Sequence, residues 1–164
     1  MSCVPEVPAE DSTQLCRLPY IDDHVKEIHA SAEQVWHGLL STLRRFPSVP
    51  ARLASAWGLE PSTRTGGWSS GVAVGDAITG FAVAEVEPLR LLTLRGTHRF
   101  SEYELRFELE LSTSGGICLH ARSSAAFPHL KGRIYRALVI GSRGHRVGVR
   151  RILAHVQRQA EGRL

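Results

Sequence analysis

The chain reads as one α+β domain: an antiparallel sheet of about six or seven strands packed on a long C-terminal helix, with two short helices after the first strand. Three observations predict this. A helical period governs the last thirty-odd residues, a period of two governs residues 80–127, and a helix-start signal with a short apolar stripe follows the first strand. At 164 residues, 43% of them hydrophobic, the chain can bury well over half of its unfolded surface, so one core suffices.

Residues 1–19 hold Pro5, Pro8 and Pro19 among small and acidic residues without apolar periodicity, the pattern of a mobile tail. The domain is therefore expected over residues 20–164. Residues 21–30 read as a strand. Ser31-Ala32-Glu33-Gln34 is a capping box, in which the serine hydroxyl and the glutamine amide satisfy backbone N–H groups at a helix start. Val35, Trp36, Leu39, Leu40 and Leu43 continue that helix to about Arg44, and Pro47 and Pro50 break it. A second short helix is expected over residues 49–57, closed by Gly58 in a left-handed cap.

The glycine-punctuated stretch 65–71 reads as a mobile loop leading to an edge strand. Residues 80–88, 90–100, 102–111 and 117–127 then read as four antiparallel strands, with Ser114-Gly115-Gly116 turning the last hairpin. In the clearest of them Tyr103, Leu105, Phe107, Leu109 and Leu111 form a dry face against Glu104, Arg106, Glu108 and Glu110.

The terminal helix, expected over residues 130–164, places Ile134, Leu138, Gly141, His145, Val149, Ile152 and Val156 on one stripe. Arg133, Arg136, Arg143, Arg146, Arg150, Arg151 and Arg158 lie opposite. The middle of the apolar stripe is built from Gly141, His145 and Gly148, where a packed core would put leucine or isoleucine. Missing side chains leave room for a ligand between helix and sheet, with an imidazole on its floor.

Nine of the 20 basic residues follow position 130, where Glu161 is the only acid, so the net charge of +4 is concentrated there. Such asymmetry can mark a nucleic-acid surface. No aromatic residues interleave on this face to stack on bases, and the plainer reading is the solvated face of a helix whose other side is buried. No run of residues is long and apolar enough for a membrane span. The start lacks the basic end and apolar centre of a signal peptide, so a cytoplasmic location is expected. Cys3, Cys16 and Cys118 are odd in number and without metal-type spacing, which predicts free thiols rather than a disulfide framework or a metal site. Neither a P-loop nor a Gly-x-Ser-x-Gly elbow occurs, and no cofactor is expected.

This order of elements resembles the helix-grip fold of the START-like (SRPBCC) superfamily, which includes polyketide cyclases and coenzyme Q-binding proteins. Val35-Trp36, Gly75-Asp76, the segment from Gly96 to Tyr103 and the terminal helix carry the resemblance over residues 20–160. It implies a curved sheet gripping the last helix around an apolar ligand, and no particular reaction.

Alternation places Leu92, Leu94, Gly96, His98 and Phe100 on one strand face, with Arg95, Thr97 and Arg99 on the other. His98, with Tyr103 across the turn and His145 on the helix, could then bring three proton-exchanging groups into an apolar chamber. The candidate ligand-binding residues are therefore His98, Tyr103, Phe107, Gly141, His145 and Gly148. The plainer alternative makes each histidine a hydrogen-bonded core residue and Tyr103 a wall. Three functions follow: binding of a small hydrophobic or aromatic molecule, a cyclase or aromatase using the cavity histidines and tyrosine as acid and base, or an interaction or nucleic-acid module working through the arginine face. The expected partner is a small hydrophobic molecule. The sequence carries no signal for oligomeric state.

Overall fold

The computed structural model describes residues 18–45, 50–68, 71–127 and 144–162. Its elements are β1 (Tyr20–Ile28), α1 (Ala32–Arg44), α2 (Ala51–Trp57), β2 (Ala77–Ile78), β3 (Phe81–Glu87), β4 (Leu91–His98), β5 (Ser101–Leu111), β6 (Ile117–Ala126) and α3 (Gly144–Ala160). The six strands form one antiparallel sheet in the order β1-β6-β5-β4-β3-β2. The fold is α+β as the patterning predicts, with six strands. The expected tail up to residue 17 and the front of the expected long helix, residues 128–143, lie outside the described residues.

Local chemistry sets the element boundaries. Ser31 Oγ accepts from the Gln34 backbone N–H at 3.3 Å, and Gln34 Oε1 accepts from the Ser31 N–H at 2.9 Å, so the capping box closes in both directions. Gly58 ends α2 at a φ of 71°, in the left-handed region that glycine enters at least cost. Strands β1 and β6 bring residues distant in sequence together, with Ile28 opposite Ile117 and Asp22 opposite Ser123.

One sheet face is dry. Leu92 and Leu94 of β4, Leu105, Phe107 and Leu109 of β5, and Leu119 and Ala121 of β6 are buried there with Val149, Ile152, Leu153 and Val156 of α3. Leu111 departs from the expected dry face: it ends β5, is 87% exposed and projects beyond the helical cover. The stretch expected as a mobile loop is anchored where it is described. Trp68 is buried in the core and its Nε1–H donates to Thr65 O at 3.0 Å, while Thr65 pairs with Ala77.

The opposite face carries a ladder of charges whose partners follow from register. Glu85 pairs with Arg106 at 3.1 Å, Arg106 with Glu108 at 2.9 Å, and Arg122 with Asp23 at 3.6 Å, while His120 lies between Asp23 and Glu110. Glu85 and Glu110 are exposed, whereas the side chains of Asp23 and His120 are buried beneath the ladder; across four strands these pairs keep this face polar. Cys118 lies on the same face and is disulfide-bonded, which corrects the expectation of free thiols. Its partner lies outside the described residues. Spacing did not reveal the bond because disulfides depend on spatial approach between segments distant in sequence.

Helices α1 and α3 pack on each other and form the second layer. Their close approach is at Gly38, where an added Cβ would stand 3.2 Å from Val156 O and 3.4 Å from Gln159 Cβ. A second close approach lies within the sheet. Gly96 faces Tyr103 across β4 and β5, and a Cβ there would come within 1.9 Å of Gly80 O and 2.6 Å of the Tyr103 ring. Tyr103 thus covers the glycine and its hydroxyl donates to Gly80 O at 2.8 Å, locking the Gly80 turn onto the sheet. Tyr103→Phe, which removes one hydrogen bond, should cost about 1 kcal/mol. Gly96→Ala should cost at least the ~1–3 kcal/mol of ordinary overpacking, because backbone rather than a flexible side chain must move. Denaturant melts of the two variants check the order.

Candidate functional site

Between the sheet and the helices lies a cavity of about 220 Å³, lined by Leu43 of α1, Ile78 of β2, Phe81 of β3, Leu94 of β4, Leu105 of β5, and Gly148, Val149 and Ile152 of α3. Among the described residues, every lining residue is apolar or glycine. Leu94 and Leu105 are cross-strand partners and form its floor, and Leu43 stands one and a half turns beyond Gly38 on α1. The helices therefore meet at Gly38 and leave space toward Leu43 and Gly148. Gly148 is exposed and sits at the rim, and a Cβ built there meets nothing within 4 Å.

The six residues singled out from the sequence occupy different places. Gly148 lines the cavity. Phe107 is fully buried in the core, in the next row of the sheet from Leu105, and is not among the lining residues. Tyr103 also stands off the lining, engaged with Gly80 and packed edge-on against Phe81 with ring centroids 5.0 Å apart. Phe81 itself both lines the cavity and touches Tyr103. His98, half-buried at the end of β4, stacks at a tilt on Phe100 with centroids 5.7 Å apart. Burial, and secondarily the Arg99 charge, hold its imidazole below its usual pKa, which favours the neutral ring. Gly141 and the side chain of His145 lie outside the described residues.

Of the eight lining residues only Gly148 was among the candidates. Leu94, Leu105, Val149 and Ile152 were read only as parts of an apolar face, and Leu43, Ile78 and Phe81 come from three separate elements that only the fold brings together. Their one signal was a large apolar residue at the end of a period, beside the helix end or the Gly80 turn.

A second set of polar groups lies where α3 passes β1. Asp22, His24 and Arg146 converge there, with His24 Nε2 at 3.5 Å and Arg146 Nε at 3.7 Å from Asp22 Oδ2. Arg146, placed by periodicity on the solvated arginine face, is half-exposed and turns to the sheet edge for this carboxylate. Asp22 and Ser123 are cross-strand partners, and Ser123 pairs with Leu105 of the cavity floor. This polar end is thus two strands from the apolar chamber. Among the described residues, no cluster of three or more His, Cys, Asp or Glu side chains is arranged to hold a metal ion.

No protein-family model matches this chain, and a search of curated proteins returned no match. Among solved structures, the chain is similar to DynU16 from the dynemicin biosynthetic locus at 18% identity and a TM-score of 0.47, covering 85% of this chain and 46% of that one. It is similar to CalU16 from Micromonospora echinospora at 16% identity and a TM-score of 0.45, over 85% and 83% of the two chains. It is also similar to MLL2253 from Mesorhizobium loti at 16% and 0.46, over 85% and 97%. The chain spans less than half the length of DynU16. Likeness at this level assigns no function.

Proposed function

We propose that this chain binds a small apolar molecule in the cavity between its sheet and last helix. The observation that carries the reading is the cavity lining: its eight described residues include no ionisable side chain. A dry apolar cavity of about 150 Å³ is enough to take up benzene, so about 220 Å³ suits a molecule somewhat larger, of one to two rings. Magnitude supports an occupant. At about 24 cal/mol per Å³, a closed void of 220 Å³ would cost about 5 kcal/mol, comparable to the whole stability of a weakly stable domain. The open rim at Gly148 reduces that cost, and a ligand offsets it.

An acid–base cyclase would need at least two polar groups within reach of the bound molecule. Of the three candidates, His98 and Tyr103 stand off the lining, and the Tyr103 hydroxyl is already committed to Gly80 O; the His145 side chain lies outside the described residues. On the described residues the binding reading ranks above the enzyme reading. The arginine-face reading has no further observation in its favour.

Two glycines on the paired helices should respond oppositely to substitution. Gly148→Ala should stabilise by up to about 1 kcal/mol, since alanine is the better helix former and the added methyl meets open space. Gly38→Leu should lose stability by overpacking, about 1–3 kcal/mol. Gly148→Phe should fold yet lower affinity for indole by about tenfold or more, read by titration calorimetry. Unchanged indole affinity in Gly148→Phe, or no indole binding by the unmodified protein, would sink the assignment.

Acid should act on stability rather than on binding chemistry. His98 binds its proton more weakly in the folded state than unfolded, so its contribution is present above the ordinary histidine value near ~6.5 and is lost as pH falls through the lowered value. Thermal melts of His98→Gln should therefore show less loss on acidification than the unmodified protein. Indole affinity, measured where both remain folded, should be flat with pH.

A further inference from the structure

Helix α2 is the least covered element of the fold. Ala54 is fully buried, whereas Arg52, Leu53, Ser55, Ala56 and Trp57 are all exposed, Leu53 at 48% and Trp57 at 61%. Leu53 and Trp57 are four residues apart and so share one helix face. Two large apolar side chains at this spacing make a small apolar patch on one helix face.

The charge around them is mostly positive, with exposed Glu60 and Glu102 as the acids beside Thr97. Arg44, Arg45, Arg52, Arg64 and Arg99 are exposed, and between residues 44 and 64 the only acid is Glu60. Arg64 Nη1 donates to Arg44 O, and Arg99 Nη2 donates to Ala56 O at 3.3 Å. These bonds tie the end of α1, the loop after α2 and the β4–β5 turn to one edge of the molecule.

We propose that this edge docks on an anionic lipid surface, with Leu53 and Trp57 entering the interface and the arginines meeting headgroup phosphates. Indole rings favour the apolar–aqueous boundary, and guanidinium forks match phosphate oxygens. Apolar insertion and a basic fringe together supply the two signals that stable peripheral binding takes. A short helix that exposes five of its residues, Leu53 and Trp57 among them, suits a fluid surface. The edge also borders the cavity. Leu43 lines the chamber and is followed directly by Arg44 and Arg45, and Leu59, just past α2, lies 3.5 Å from where a Gly80 Cβ would stand, next to Phe81. In giving the cavity's occupant a lipid phase as its source, the proposal rests on the binding reading above; the docking surface stands without it.

Co-sedimentation of the full chain with vesicles tests this, using phosphatidylcholine alone and phosphatidylcholine containing phosphatidylserine. Binding should appear with the anionic vesicles and weaken as salt rises. Leu53→Ser with Trp57→Ser should abolish it, and Arg45→Ala with Arg52→Ala should reduce it about tenfold or more. These positions are exposed, and an unchanged thermal melt confirms that the variants fold. Absence of binding to either vesicle, binding unaffected by both double variants, or capture by polyglutamate without vesicle binding overturns the proposal. Indole titration of the same samples separates the two readings. Indole binding without vesicle binding leaves the cavity assignment intact and refutes docking, and vesicle binding without indole binding does the reverse.

Discussion

The approach of α1 to α3 at Gly38 decides where the interior is full and where it is empty. The absence of a side chain lets the Val156 carbonyl come within 3.2 Å of the position a Cβ would occupy, so the two helices are in contact at that point. A helix with its side chains is about 10 Å wide, whereas six strands spaced at about 4.8 Å put some 24 Å between the outer two. Two helices drawn together at one end cannot cover the whole inner face evenly. Helix α3 packs over β1 and α1, and space is left above β2 to β5, where Ile78, Phe81, Leu94 and Leu105 point into it. The cavity is thus a geometric remainder of the packing.

The sheet end beyond that space is kept in shape by the Gly80–Gly96–Tyr103 arrangement. Tyr103 fills the room that Gly96 leaves and binds Gly80 O, while Gly80 N–H donates to Pro61 O at 2.7 Å and Glu60 pairs with Thr97. The Gly80 turn, the loop after α2 and the end of β4 are consequently one fixed unit. Phe81 extends from this unit into the cavity wall and packs on Tyr103. A rigid wall on the strand side and a rim glycine on the helix side favour a preformed site, which spares a ligand part of the cost of ordering it.

Much of the fold was legible because local rules decide it. Alternation in Leu105, Phe107 and Leu109 identified a buried strand face, the Ser31–Gln34 box identified a helix start, and Gly58 identified a helix end. The same rules failed where an element's end or a distant partner decides. Leu111 continues the alternation yet lies past the covering layer, Trp68 sits among glycines yet anchors in the core, and the bond at Cys118 depends on a segment far away in sequence. For the site, Gly148 was readable as a missing side chain, although the periodicity placed it on a buried stripe and it stands exposed at the rim, where the helix face turns from the sheet. Gly38 was not, because a helical glycine facing a neighbouring backbone has no local signature that separates it from one facing open space. The position of Tyr103 needed the β4–β5 register, which sets its ring on Gly96 and its hydroxyl on Gly80 rather than toward the chamber.

A methyl-resolved NMR titration of the full chain with indole tests the central claim most directly. If the cavity is the binding site, the methyl signals of Leu43, Ile78, Leu94, Leu105, Val149 and Ile152 shift together with a single saturation curve, while those of Leu53 and Leu111 stay in place. Shifts confined to the exposed leucines, or saturation at the Asp22–His24 cluster without movement of Leu94 and Leu105, would contradict it.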